Sequence, residues 1–173
     1  MKPFIPLLIA ICCPIIVFCQ DITGLWKGSM YNDSTKQSLP YEMIISKENG
    51  KYTGYSHSWF LVEGKQYYGI KKIKVRVAKD GKIVVQDEAL IENNYPVLPD
   101  KNVSQLNVLD IATSNNEITL DGPFVTNRTK AYNELTGHIS LKKVIETGES
   151  ALLLFLQKNG LDYSYTVVNK TVR

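Results

Sequence analysis

The sequence predicts an all-β fold, an antiparallel up-and-down meander of about eight to ten strands that closes into a barrel. From residue 20 onward, short runs rich in Val, Ile, Tyr and Thr follow one another, and none has the pattern of an amphipathic helix. Asn-Gly or Asp-Gly stands between consecutive runs at Glu48–Gly50, Lys79–Gly81 and Lys158–Gly160. Such short turns join sequence neighbours, which predicts antiparallel pairing. Closure into a barrel would bury the apolar face and remove exposed edges.

The apolar runs are the candidate strands of this barrel, because each is rich in β-branched and aromatic residues and ends at turn-forming residues. They are Thr23–Tyr31, Pro40–Ser46, Tyr52–Val62, Gln66–Ala78, Lys82–Ile91, Ser104–Ala112, Glu117–Val125, Leu135–Val144, Ala151–Gln157 and Tyr163–Val168. The run Ala151–Gln157 is apolar on both faces. This predicts a central strand that is covered on both sides, or one whose outer face meets a partner.

The turn at Lys79–Gly81 predicts the register of one hairpin. A three-residue loop with Gly81 in the left-handed region places Val77 opposite Ile83 and Val75 opposite Val85. Apolar residues then face apolar residues, whereas a two-residue loop would break the apolar face.

The same three-residue loop at Glu48–Gly50 predicts the register of an earlier hairpin. It places Tyr41 opposite His57 and Met43 opposite Tyr55. Trp59 shares the face of His57 because successive side chains alternate across a strand. The prediction is an aromatic inner face in this part of the barrel.

The first nineteen residues have the pattern of a secretory signal peptide. Lys2 precedes an unbroken apolar run that contains no acidic residue. We therefore expect an exported protein, periplasmic or extracellular, with a signal peptide at 1–19 and a single barrel domain at 20–173. The run is shorter than the ~20 residues of a transmembrane helix, so no stable membrane span is expected. All three cysteines lie within the first nineteen residues. A lipid anchor at Cys19 is the alternative to free export.

The charge balance argues against a nucleic-acid partner. The chain has 20 Lys and Arg residues and 17 Asp and Glu residues, whereas a nucleic-acid binder usually carries a stronger and more clustered basic excess. Lys72, Lys74 and Arg76 form a stripe on the predicted outer face, and the carboxylates of Asp87 and Glu88 are interpreted as solvated polar groups of a strand.

The start of the domain carries a family resemblance. The stretch Asp21–Gly28 places Gly-x-Trp on the first strand, with an Asn-Gly turn and Thr53-Gly54-Tyr55 following. This resembles the entry motif of the calycin barrels, the lipocalins and avidins, in which the Trp plugs one end. The resemblance implies a lipocalin-like barrel. It does not extend to biotin, because avidin-like sites use several tryptophans and only Trp26 and Trp59 exist here. No C-terminal helix of the lipocalin type is expected after the last strand.

No constellation in the sequence indicates catalysis, a metal site or a cofactor. The two histidines, His57 and His138, fall on opposite predicted faces and cannot form one site. Ser56 and Ser58 flank His57 on the same strand, so their side chains point away from it. We therefore expect a binding protein without catalytic activity and without a metal or cofactor.

The predicted function is binding of a small, largely apolar molecule inside the barrel. The candidate pocket residues are Trp26, which closes one end, and the wall residues Tyr41, Tyr55, His57 and Trp59. The alternative is a module of the cell envelope that binds a glycan or a protein on its outer surface. The sequence does not indicate an oligomeric state.

Overall fold

The fold is an eight-stranded antiparallel barrel with one helix after the last strand, as given by a computed structural model that describes residues 21–97, 103–130, 132–144 and 149–163. The elements are β1 Gly24–Asn32, β2 Gln37–Glu48, β3 Lys51–Val62, β4 Lys65–Val77, β5 Ile83–Asn93, β6 Gln105–Ser114, β7 Glu117–Thr126, β8 Thr136–Lys143 and α1 Ala151–Lys158. The predicted signal peptide at 1–19 lies outside the described residues. Of the predicted strand Tyr163–Val168, only Tyr163 is described, and it is not in a strand.

The strands follow one another around the barrel in sequence order, and β8 pairs with β1 to close it. Every pairing is antiparallel, so the predicted up-and-down barrel is confirmed. We call the end that holds the β1–β2 turn, residues 33–36, the upper end. The end that holds the β2–β3 turn is the lower end. No helix in the described part of the chain is long and apolar enough to cross a membrane.

The lower half of the interior is an apolar core. Trp26 is fully buried there, and its indole nitrogen donates a hydrogen bond to the carbonyl oxygen of Ile22 at 3.0 Å. Side chains from all the strands contact one another around it. They include Met43, Ile45, Ile73, Val75, Ile83, Val85, Leu109, Leu120, Ile139 and Leu141. The burial of these side chains is the main stabilising contribution to the barrel.

The predicted register of the β4–β5 hairpin is confirmed next to the turn, where Val77 pairs with Ile83 and Val75 pairs with Val85. Gly81 has φ 86°, the left-handed conformation that the three-residue loop requires. Two register shifts occur further along the same strand pair, so its upper part is bulged.

The predicted register of the β2–β3 hairpin is wrong by one residue. Asn49 and Gly50 have φ 49° and 78°, so they form a two-residue loop, and Glu48 pairs with Lys51. Two left-handed residues match the twist of the flanking strands, which is why this turn is favoured in hairpins. A slip of one residue exchanges the two faces of a strand. It moves three predicted pocket residues to the outer face of the barrel: Tyr55, His57 and Trp59.

The predicted strand Ala151–Gln157 is a helix, and the expectation that no helix follows the last strand is also wrong. Ser150 caps α1 by accepting a hydrogen bond from the backbone nitrogen of Leu153 at 3.1 Å. Leu152 and Leu156, four residues apart, are buried against the outer face of the barrel. A continuous apolar run satisfies the helical period as well as the strand period, so the contacts with the barrel decide between them.

Candidate functional site

Polar side chains replace the apolar core toward the upper end of the barrel interior. Strands that carry the core below also carry these groups above, at positions of the same parity. Ile73 of β4 is followed inward by Lys71, and Val85 of β5 is followed by Asp87. We call the set the polar cluster: Tyr41, Ser56, Lys71, Asp87, Gln105 and Asn107.

An ion pair lies at the centre of the polar cluster. The Lys71 ammonium is 2.5 Å from Oδ2 of Asp87, and the two side chains are only 19% and 10% exposed. The same oxygen accepts a hydrogen bond from the backbone nitrogen of Gln105 at 2.9 Å. Both of these interactions use Oδ2 of Asp87. Oδ1 is the second acceptor atom of the carboxylate.

A chain of hydrogen bonds continues from this ion pair across the interior. The side-chain amide of Gln105 donates to Oδ1 of Asn107 at 2.8 Å, and the amide nitrogen of Asn107 lies 3.5 Å from the hydroxyl of Tyr41. A side-chain hydrogen bond also joins Tyr41 to Ser56. Burial raises the pKa of Tyr41 far above its ordinary value, and the charge of Asp87 adds to this effect. The phenol therefore stays protonated.

Three aromatic side chains lie above the polar cluster, at the mouth of the barrel. The ring of Phe60 is 5.7 Å from that of Tyr67 and 5.0 Å from that of Tyr95, measured between centroids. We call these three residues the aromatic rim. Gly69 leaves the space that Tyr95 fills, since a Cβ atom at this position would collide with the Tyr95 hydroxyl. Burial raises the pKa of Tyr95 to about 12, with further contributions from Asp87 and Tyr132.

Strands β5 and β6 stop pairing beside the ion pair. In the described residues, β5 and β6 pair only from Ile83 to Gln86 on the β5 side. Asp87 is the next residue, and its side chain takes the place of a backbone acceptor for Gln105. The Asp87 carboxylate therefore lies inside the barrel, next to the point where β5 and β6 stop pairing.

The structure separates the five predicted site residues. Trp26 and Tyr41 both point into the barrel and belong to its buried core, and Tyr41 also contacts the polar cluster through its hydroxyl. Tyr55, His57 and Trp59 lie on the outer face, and Tyr55 packs against the cluster beneath α1. Only Tyr41 remains in the candidate site.

Sequence reasoning missed Lys71, Asp87, Gln105 and Asn107. The signal for two of them was available, because Lys71 and Asp87 share strand parity with Ile73 and Val85 of the correctly predicted hairpin. Asp87 was instead interpreted as a solvated group. The stripe of Lys72, Lys74 and Arg76 is at the surface as predicted, and Lys74 pairs with Glu88 at 2.9 Å.

His57 occupies an unusual environment on the outer face. It is 5% exposed, its ring stacks on Trp59 with centroids 3.6 Å apart, and the edge of Tyr68 lies 5.4 Å away. Neither ring nitrogen has a hydrogen-bond partner among the residues that the structure describes. Burial lowers the pKa of His57 to about 4, although the charges of Glu42 and Glu92 oppose the shift. The imidazole is therefore neutral at physiological pH.

His138 lies on the outer surface, as predicted. Its Nε2 is 2.7 Å from Asp121, and the hydroxyl of Ser140 donates to the same carboxylate. Both side chains therefore bond to Asp121 rather than to each other, which is not the order of a serine nucleophile activated by histidine. No group of three His, Cys, Asp or Glu side chains that could hold a metal ion occurs among the residues described.

Comparison of the chain with protein-family models, with curated proteins and with solved structures found no match. The fold is compatible with a calycin-like barrel, since its eight strands close in up-and-down order.

Proposed function

We propose that the protein binds a small molecule in the upper half of the barrel interior, between the polar cluster and the aromatic rim. The ion pair of Lys71 and Asp87 carries this proposal. Replacing a buried ion pair by well-packed apolar residues is often neutral or stabilising, so such a pair is weak support for stability alone. A few convergent polar groups at the concave end of an apolar barrel are typical of a ligand site.

The lining of this site favours a ligand with a polar group. Lys71 and Asp87 would contact that polar group. The rings of the aromatic rim would cover a less polar face of the ligand. The largely apolar ligand expected from the sequence would fit the lower core better, but the groups that can form specific hydrogen bonds lie in the upper half. We therefore propose an amphipathic or polar small molecule as the ligand.

Export remains part of this proposal. The charged residue and apolar run at the N-terminus support a signal peptide, so the ligand would be met outside the cytoplasm. We propose a binding role rather than catalysis, and the hydrogen bonds of the cluster, which join groups suited to recognition, support it.

The first experiment is native mass spectrometry of the mature protein purified from its source organism, followed by solvent extraction and mass analysis of the bound material. We expect a stoichiometric small molecule that is lost from the Lys71→Met variant and retained by Lys72→Met. These neighbouring lysines lie on opposite faces of β4, so the second variant is a matched control. An apo protein that also binds nothing from a concentrated extract of the same cells would contradict the proposal and favour binding on the outer surface.

A further inference from the structure

We infer that the ligand is a neutral carbohydrate unit, a mono- or disaccharide without a charged group, held by its hydroxyl groups on the polar cluster. This inference rests on the proposed function and names the chemical class that the same site would take. It is carried by three properties of the site: its charge balance, its mixture of donors and acceptors, and its aromatic rim.

The charge balance excludes a ligand with a net charge. Lys71 and Asp87 are the two charged members of the polar cluster, and they neutralise each other at 2.5 Å. A charged group brought into this interior would lose its hydration without meeting an uncompensated opposite charge. A neutral ligand does not incur that cost.

The hydrogen-bonding capacity of the site requires a ligand that both donates and accepts. The Asp87 carboxylate accepts from Lys71 and from the Gln105 backbone through Oδ2 and has Oδ1 as a second acceptor atom, and the Lys71 ammonium has three N–H donors, one of which points to Asp87. A hydroxyl group can satisfy either partner, because it donates one hydrogen bond and accepts two. Two neighbouring hydroxyl groups could therefore bridge the ion pair without separating it.

The aromatic rim selects among neutral polar molecules. The ring of Phe60 lies within 6 Å of the rings of Tyr67 and Tyr95 at the mouth, above the ion pair. The electron-rich face of an aromatic ring attracts hydrogens that carry partial positive charge. The C–H face of a sugar ring presents such hydrogens opposite its hydroxyl groups. Neutrality, adjacent hydroxyl groups and an apolar C–H face occur together in carbohydrates.

The test measures binding of defined sugars to the mature wild-type protein by saturation-transfer NMR and isothermal titration calorimetry. The neutral probes are glucose, galactose, N-acetylglucosamine, maltose and cellobiose, and the charged counterparts are glucuronate and glucosamine. Laurate and adenosine represent other ligand classes. We expect at least one neutral sugar to bind, and its charged counterpart to bind about tenfold more weakly or not at all.

Two neighbouring residues supply the matched variants. Asp87→Asn removes the inward carboxylate, whereas Glu88→Gln removes the outward carboxylate of the next residue. We expect Asp87→Asn to weaken binding of the neutral sugar about tenfold and Glu88→Gln to leave it unchanged. Phe60→Leu, which keeps the ion pair, should also weaken binding, and it serves as the test if Asp87→Asn does not fold.

The possible outcomes separate this inference from the proposed function. If laurate, adenosine or a charged sugar binds and Asp87→Asn abolishes it, the interior site exists and the carbohydrate assignment is overturned. Binding of a neutral sugar that none of the interior variants affects also overturns the assignment. If no probe binds and no molecule is extracted from the native protein, both proposals are overturned.

Discussion

Acid should destabilise this protein through His57 in particular. In the folded barrel this side chain is 5% exposed and has no hydrogen-bond partner in the described part of the chain. Burial lowers its pKa to about 4 from an ordinary value of 6.5. The unfolded chain therefore binds a proton near pH 6.5, and the folded chain does so only near pH 4. The stability at neutral pH is lost progressively as the pH falls through this window.

The magnitude follows from the two pKa values. Between pH 7.5 and pH 4.5, the difference in proton binding lowers the free energy of unfolding by about 2.5 kcal/mol. The His57→Phe variant lacks the titrating group and keeps an aromatic ring beside Trp59. Carboxylates with lowered pKa values, such as Asp21 and Asp121, also lose stabilising interactions in acid. They do so in both proteins, so the comparison with the variant isolates His57.

The assay is urea denaturation of wild-type protein and of His57→Phe at several pH values from 7.5 to 4.5. We expect the wild type to lose about 2.5 kcal/mol more than the variant over this range. NMR titration of the imidazole C–H signal should give a His57 pKa below the ordinary value. Equal losses in the two proteins, or an ordinary pKa by NMR, would refute the argument that His57 is buried in its neutral form.

Three further substitutions test other parts of the structure by urea denaturation. Lys71→Met should lower the free energy of unfolding by about 3 kcal/mol, because it leaves the carboxylate of Asp87 buried without its counter-ion. A loss below about 1 kcal/mol would show that the ion pair is hydrated. Glu42→Ala should lower the free energy of unfolding by about 2 kcal/mol and reduce the helical circular dichroism signal. The reason is that Glu42 accepts hydrogen bonds from the Ser150 hydroxyl at 2.8 Å and from a backbone nitrogen at the start of α1. Gly50→Ala should lower the free energy of unfolding by about 1 kcal/mol, because Gly50 has φ 78°, a conformation that alanine disfavours. Steric contact adds nothing to this loss, since a Cβ atom there meets nothing within 4 Å. An unchanged stability would contradict the two-residue turn.

The barrel could be predicted from the sequence because its determinants are local. Alternating Val and Ile residues and the left-handed Gly81 specify the β4–β5 hairpin, and its register was predicted correctly. The stretch Glu48–Gly50 is different, since it can form either a two-residue or a three-residue loop. The three-residue form, which is correct for Lys79–Gly81, was applied to this turn as well and gave the wrong register. One residue in that turn decides which side chains of β3 face the interior.

The helix α1 could not be predicted because distant contacts determine it. The run Ala151–Leu156 is apolar at almost every position and satisfies both periods. The interactions that favour the helix come from Glu42, 108 residues before Ser150 in the chain, and from buried side chains on β1, β2 and β4. A polar residue inside a strand pattern, Glu42, was in this case part of a helix cap.

Two buried carboxylates, one on each side of the sheet, show why the interior site is assigned a function. Glu42, on the outer face, uses Oε2 to accept from Ser150 and from the backbone nitrogen of Leu152, and Oε1 lies 3.3 Å from the Lys27 ammonium. Its role in holding α1 accounts for the cost of its burial. Asp87, on the inner face, uses Oδ2 to contact the Lys71 ammonium and to accept from the backbone nitrogen of Gln105 at the start of β6. Neither contact holds a separate element as Glu42 holds α1, and we propose that a ligand hydroxyl donates to the second oxygen of Asp87, below the aromatic rim.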